Sequence, residues 1–288
     1  YRLNQKEGKF DYITPKAPNP ETSGEKPCRF NWQTPILLSS HNQDILYMGS
    51  EFLQRSMNQG ETWERISGDL TNGAKEGNVA FGTISTISES KFQFGLLYAG
   101  SDDGKIHVSK DGGVSWQLIS GNLPQNLWVS RVVASSHKKE RVYVTLNGYR
   151  NDNFESYAFV SEDFGATWTS ISNGLTQAVN VIVEDSANEN ILYVGTDNGL
   201  FISVDKGANW QDFSNGMPKV AIHDAVIQTK AKELIVGTHG RSIYKIDISK
   251  VQELTKDVLA KNLHLFKVND RTKSNRWGTQ NYAWGKPS

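Results

Sequence analysis

Ser109-Lys-Asp-Gly-Gly-Val-Ser-Trp116 decides the fold, because it recurs. Ser56-Met-Asn-Gln-Gly-Glu-Thr-Trp63, Ser161-Glu-Asp-Phe-Gly-Ala-Thr-Trp168 and Ser203-Val-Asp-Lys-Gly-Ala-Asn-Trp210 share its pattern, S-x-D/N-x-G-x-x-W. The starts lie 53, 52 and 42 residues apart. That is the period of roughly 40 to 50 expected for propeller blades. The third-position residues Asn58, Asp111, Asp163 and Asp205 can close a tight turn through backbone N–H groups two residues on. Gly60, Gly113, Gly165 and Gly207 can take positive φ. Trp63, Trp116, Trp168 and Trp210 can cap the turn and pack on an adjoining blade. These twelve residues read as structural staples between third and fourth strands rather than as catalytic groups.

The flanks repeat as well. An apolar run precedes each motif: Ile45 to Gly49, Leu96 to Gly100, Val142 to Gly148 and Ile191 to Gly195. Each reads as a short buried strand. Shorter strands lead into the motif, and Trp63 to Ile66, Trp116 to Ile119, Trp168 to Ile171 and Trp210 to Phe213 follow it. Thr34 to Ser39 and Val129 to Ser135 open their units, giving four antiparallel strands per unit. A fifth unit, with strands at 225–229, 233–237 and 242–248, lacks the motif. The fold class is therefore all-β, a β-propeller of four-stranded blades, incomplete at about five blades within this chain. The alternative is a closed five-bladed ring completed by the N-terminal strands.

Domain organisation follows. Residues 1–28 hold a partial blade, with strands at 1–4 and 10–13, and a proline-rich loop carrying Pro15, Pro18, Pro20 and Pro27. Residues 29–250 hold the blades. Residues 251–288 form a tail towards a further domain, with one short helix over 251–259. The chain opens on Tyr1, so we read it as a processed product or a piece of something longer.

Composition excludes several classes. Lys plus Arg is 31 and Asp plus Glu is 31 over 288 residues, which disfavours a strongly basic nucleic-acid binder. No apolar run reaches the roughly 18 to 20 residues of a membrane span. Cys28 is the single cysteine, so no internal disulfide forms. The six histidines show no metal-ligand spacing, so neither metal nor cofactor is expected.

The repeated motif resembles the Asp-box, or BNR repeat, found in sialidases, in glycoside hydrolase family 74 propellers and in the sortilin/VPS10 ectodomain. The closest resemblance is to bacterial VPS10/sortilin-like proteins labelled glycosyl hydrolase. It is carried by Arg29-Phe-Asn-Trp-Gln-Thr-Pro-Ile36, Ser39-Ser-His-Asn42, Gly82-Thr-Ile84, Gly100-Ser-Asp-Asp-Gly104 and Gly237-Thr-His-Gly-Arg241. The resemblance implies a propeller and an extracytoplasmic location (periplasmic, surface or secreted). It points to receptors and enzymes alike. Sialidases carry an Arg-Ile-Pro motif; the nearest string here is Arg65-Ile-Ser67. Family 74 enzymes set paired carboxylates across a cleft between two propellers, which one partial propeller does not supply.

Strand parity places a site. Loops joining strands 2–3 and 4–1 share one face, opposite the motif turns. The 2–3 loops carry Glu51, Asp102, Asp103, Arg150, Asp152, Asp197, Asn198, His239 and Arg241. The 4–1 loops add Asp69, Trp128, Arg131, His223 and Asp224. Charged and amide groups offer directional hydrogen bonds, and an exposed Trp can stack on a sugar or anchor a partner. His239 could act as a base or simply join neighbouring blades. The expected function is a non-catalytic interaction scaffold with a protein or glycan partner, completed by blades or domains of a longer parent. A share in a glycoside hydrolase-like enzyme is the alternative.

Overall fold

Each apolar run becomes a strand, and each motif closes the outer hairpin of a sheet. The computed structural model describes residues 1–15, 27–78 and 80–267. An N-terminal hairpin comes first, β1 (Arg2–Asn4) with β2 (Lys9–Asp11). Blade I follows as β3 (Ile36–Leu38), β4 (Leu46–Gly49), β5 (Leu53–Ser56) and β6 (Glu64–Arg65). Blade II is β7 (Ile84–Glu89), β8 (Leu97–Ser101), β9 (Ile106–Ser109) and β10 (Gln117–Leu118). Blade III is β11 (Trp128–Ala134), β12 (Val142–Gly148), β13 (Asn153–Ser161) and β14 (Thr169–Ser170). Blade IV is β15 (Val179–Glu184), β16 (Leu192–Thr196), β17 (Gly199–Ser203) and β18 (Gln211–Asp212). Blade V has three strands, β19 (Ile222–Gln228), β20 (Glu233–Thr238) and β21 (Ile243–Asp247). Every blade is an antiparallel meander. The second strands are buried end to end in blades II, III and IV, because both faces of the sheet are covered by neighbours.

The motif works through more bonds than the sequence suggested. In blade III, Ser161 Oγ accepts from Gly165 N at 2.7 Å, and Asp163 Oδ1 accepts from Thr167 N at 2.8 Å. The carboxylate therefore reaches four residues on, not two. Thr167 Oγ1 adds a bond at 2.6 Å. Gly165 has φ of 90°, and a Cβ there would stand 2.4 Å from Ile119 Cδ1 of blade II. Only glycine allows that approach. Phe164 also takes positive φ, and its N–H donates to Glu140 O at 2.8 Å.

Each motif docks its blade on the unit before it. Trp116 Nε1 donates to Ile66 O, Trp168 to Ile119 O and Trp210 to Ile171 O, at 2.8, 2.8 and 2.6 Å. Trp63 makes the same bond to Ile13 O at 2.7 Å. Ile13 thus stands where Ile66 and its equivalents stand. The hairpin β1–β2 takes the place of the two outer strands of a blade ahead of blade I. Among the described residues the closed five-bladed alternative is not formed: β1 and β2 pair only with each other, and blade V has three strands. The described sheets do not close into a ring.

Blade V stops for a local reason. Ile248 N donates to Lys232 O, as Lys206 N does to Asn190 O in blade IV. Ser249 then stands where the other blades have glycine. The chain runs on through a 3₁₀ turn, Val251–Glu253, and a short helix α1 (Lys256–Leu259). The single helix expected over 251–259 is split in two. The 3₁₀ turn packs back on blade IV, with Gln252 Nε2 bonded to Asp185 Oδ2 at 3.0 Å. Pro18, Pro20 and the tail beyond residue 267 lie outside the described residues.

The joints between blades alternate in chemistry. At I/II, Ser39 Oγ and Tyr47 Oη donate to Glu89 at 2.6 and 2.9 Å, and His41 Nε2 meets Ser90 O at 2.9 Å. At III/IV, Ser135 Oγ and Tyr143 Oη donate to Glu184 at 2.8 and 3.0 Å, and His137 Nε2 meets Asp185 O at 2.6 Å. The donors are separated by 96 residues each time. At II/III and IV/V the equivalent tyrosines, Tyr98 and Tyr193, are buried with no partner for the hydroxyl.

Candidate functional site

The strand 2–3 loops and the starts of the first strands share one end of the arc, and the motif turns occupy the other. On this face the candidates separate into two groups.

Over blades I and II the carboxylates turn inward. Glu51 Oε2 accepts from Arg29 N at 2.7 Å, and Arg29 Nη2 reaches Asp69 Oδ2 at 2.7 Å. Burial alone would raise the Asp69 carboxyl, but hydrogen bonds from Thr71 and Arg29 hold it below the usual range. Asp102 is 3% exposed. It accepts from Thr83 N and Oγ1, both at 2.9 Å, and from Asn31 Nδ2 at 3.2 Å. Burial pushes its carboxyl upward, and the Thr83 bonds oppose this. Asp103 accepts from Asn72 N at 2.6 Å and Ser101 Oγ at 2.5 Å. Glu51, Asp102 and Asp103 thus tie loops together, because a buried carboxylate needs its lone pairs satisfied.

Over blades III to V the groups face outward. A 3₁₀ turn, Tyr149–Asn151, presents Arg150, whose guanidinium lies 4.0 Å from the Trp128 ring centroid. Arg150 Nε donates to Tyr149 Oη at 3.0 Å. Its terminal nitrogens face solvent, with no carboxylate at ion-pair distance among the described residues. Asp197 accepts from Asn180 Nδ2 at 2.8 Å, and Asn180 Oδ1 accepts from Asn147 Nδ2 at 2.7 Å. Asn198 is exposed beside it, and Asp152 holds a left-handed conformation after Arg150. The His223 and His239 rings lie 5.1 Å apart. Burial and the neighbouring His239 lower the His223 pKa, and Asp197 partly offsets this. Arg241 is exposed in the same loop as His239.

A groove of about 260 Å³ runs along the first strands of blades III, IV and V. Val133, Val183 and Val226 contribute apolar wall from three successive blades. Arg131 Nη2 and Asp224 Oδ1 pair at 2.6 Å, joining blade III to blade V past blade IV. Arg150, held against Trp128 and Tyr149, can meet an anionic group at the rim; it does not line the groove. Among the described residues, no group of three His, Cys, Asp or Glu side chains could hold a metal ion, and no helix is long and apolar enough to cross a membrane.

Sequence reasoning passed over Asn31, Asn147 and Asn180, which position the rim and loops. It also passed over the joint residues Ser39, Tyr47, Glu89, Ser135, Tyr143 and Glu184. The signal was present: Ser39-Ser-His41 and Ser135-Ser-His137 are the same triplet two blades apart.

Residues 51–178 match the Sortilin-Vps10 family model, described as sortilin, neurotensin receptor 3. No curated protein matches the chain. Among solved structures, an ancestral GH74 enzyme aligns at 17% identity and TM-score 0.60, over 77% of this chain and 30% of its own. The GH74 xyloglucanase from Xanthomonas campestris aligns at 16% identity and TM-score 0.59, over 77% and 37%. The β-propeller domain of Myceliophteria thermophila Cps50 (Swd1) aligns at 14% and 0.57, over 80% and 70%. The chain spans about a third of the length of the two enzymes. At these identities the likeness is one of fold. The described residues form a β-propeller whose stretch 51–178 is similar to the sortilin/VPS10 family, and whose fold is shared with the propellers of GH74 enzymes.

Proposed function

We propose that this segment is a non-catalytic, extracytoplasmic interaction scaffold. Its BNR-type blades hold a rim over blades III to V that binds a protein partner bearing acidic side chains. The observation that carries the reading is Arg150. Its plane is fixed over Trp128 and its Nε is fixed by Tyr149, so the terminal nitrogens are pre-oriented for a bidentate carboxylate. A pre-organised guanidinium loses little side-chain entropy on binding. Arg241, His239 and Asn198 stand on the same face and would extend the contact. The inward carboxylates of blades I and II favour a scaffold over a hydrolytic pair, since each already accepts two or more bonds or ion pairs.

The test is an array of peptides graded in Asp and Glu content, probed beside a glycan array. Wild-type chain should retain acidic peptides, and Arg150→Ala should weaken them about tenfold, with Arg150→Lys intermediate. Peptide retention that ignores Arg150 would overturn the reading. Glycan hydrolysis by the chain would favour the enzyme alternative.

A further inference from the structure

Blades II to V each carry a β-bulge in the first strand, at Ser85, Ser130, Asn180 and His223. A bulge re-aims the side chain it carries. Ser85 Oγ donates to Val129 O at 2.7 Å and Ser130 Oγ to Val179 O at 2.9 Å, each in the next blade. Asn180 turns instead to the 2–3 loop of its own blade, where Nδ2 donates to Asp197 Oδ1 at 2.8 Å. His223 is the corresponding residue of blade V.

The loop residue facing the bulge changes in step. Asp102 N donates to Thr83 O, Asp197 N to Ala178 O and His239 N to Ala221 O, at 2.9, 3.1 and 2.9 Å. His239 therefore stands where Asp102 and Asp197 stand. Blade V sets imidazole beside imidazole where blade IV sets amide against carboxylate. The two rings lie 5.1 Å apart and are tilted by 39°, which is neither a parallel stack nor an edge-to-face contact. Both residues are exposed. Among the described residues, neither ring has a hydrogen-bond partner.

We infer that His223 and His239 form a two-imidazole binding site for a divalent ion of the zinc and copper class. A ring nitrogen about 2.0 to 2.1 Å from a tetrahedral ion puts its ring centre about 3.2 Å from that ion, and two such rings about 5 Å apart. The observed separation is that of a chelating pair. Imidazole suits these ions, whereas Mg²⁺ prefers oxygen ligands. Burial and the neighbouring ring lower the His223 pKa, which keeps its lone pair available near neutral pH. The Asp197 carboxylate acts on His223 as a nearby negative charge, which favours a cation there. With two protein ligands, water fills the remaining positions and leaves the ion open to a further ligand. The histidines are 16 residues apart in sequence, so spacing alone does not reveal the pair. The bulge and the loop bring them together. The site does not rest on the reading of Arg150.

The whole chain, without a polyhistidine tag, would be titrated with Zn²⁺ alone at neutral pH, following the heat of binding, with Mg²⁺ as the comparison. His223→Gln and His239→Gln would be set beside His264→Gln and Arg150→Ala. The paired histidines are exposed, so the variants should keep the wild-type circular dichroism. Expected is saturable binding of one Zn²⁺ per chain and none of Mg²⁺. Each of His223→Gln and His239→Gln should weaken Zn²⁺ at least about tenfold, with His264→Gln and Arg150→Ala unchanged. Substoichiometric Cu²⁺ should broaden the His223 and His239 ring resonances before those of other histidines. No saturation up to about 1 mM Zn²⁺, undiminished binding by either paired variant, or broadening spread evenly over the histidines would overturn the site. Loss of acidic peptides on Arg150→Ala with Zn²⁺ binding retained would show the two sites failing independently.

Discussion

Joints I/II and III/IV differ from joints II/III and IV/V, although all four join the same kind of sheet. The first pair each bury eight apolar residues in the shared cluster. They add a polar lock of serine, histidine and tyrosine onto one glutamate. The second pair bury twelve and nine apolar residues, and the matching tyrosine hydroxyls have no partner. Apolar contact is non-directional and scales with area, so it tolerates small shifts in blade angle. A carboxylate shared by several donors is directional and fixes that angle. Successive joints thus differ in whether a shared glutamate is present, while joint II/III relies on apolar contact with hydroxyl-to-backbone bonds such as Ala134 N to Ser88 Oγ at 3.0 Å, and the sequence repeats over two blades as well as over one.

The largest effect expected is at Glu184. It accepts from Ser135 Oγ, Ser136 N and Tyr143 Oη, and Arg141 Nη1 lies 3.5 Å away. Glu184→Ala strands these donors in a buried joint and should cost about 3 kcal/mol or more in urea unfolding. Glu89→Ala should cost less, because Glu89 is only half-buried. Equal losses would break the link between burial and lock strength.

The tyrosines sharpen the contrast within one substitution type. Tyr143→Phe and Tyr47→Phe each remove a bond to a carboxylate and should cost about 1.5 to 2 kcal/mol. Tyr98→Phe and Tyr193→Phe remove a buried hydroxyl with no partner, so they should be neutral or stabilise by about 1 kcal/mol. A uniform response across the four would show that the alternation has no energetic content. All four phenols are raised in pKa, mainly by burial and then by a neighbouring carboxylate, so none ionises near neutral pH.

The smallest effect lies at the motif turns and separates blade I from blades II and III. Hydrogen bonds from Ser115 and Thr167 hold the Asp111 and Asp163 carboxyls at about 2, against an ordinary 3.8. A depressed carboxyl stabilises the fold above its unfolded value, and that contribution is lost as pH falls from about 4 through about 2. Asn58 makes the same backbone bond to Thr62 N at 2.9 Å and does not titrate. Amide exchange at Ser115 and Thr167 should therefore rise across that window while Thr62 stays flat. Parallel behaviour at all three would sink the assignment.

Much of the fold was legible because the motif's chemistry is local. Serine, Asp or Asn, glycine and tryptophan at fixed offsets dictate one turn wherever they fall. The face carrying the candidate site was legible for the same reason, since strand parity follows from strand order. Which residues on that face remain free was not. Asp102 and Arg150 look alike as polar loop residues, and only the position of Asn31, Thr83, Trp128 and Tyr149 around them separates anchor from outward group.

The sequence by itself determined the blade type, the strand count per blade, the missing motif in blade V and the end of the molecule where loops gather. Each rests on periodicity or on bonds within a few residues. Only the tertiary structure decided that Ile13 stands in for the end of a further blade, that the described sheets do not close, and that a shared glutamate locks joints I/II and III/IV but not II/III and IV/V. Those outcomes depend on groups 40 to 50 residues apart meeting across a joint, as Tyr143 meets Glu184 and Trp63 meets Ile13. Local propensity carries no information about such pairs until the blades are packed side by side.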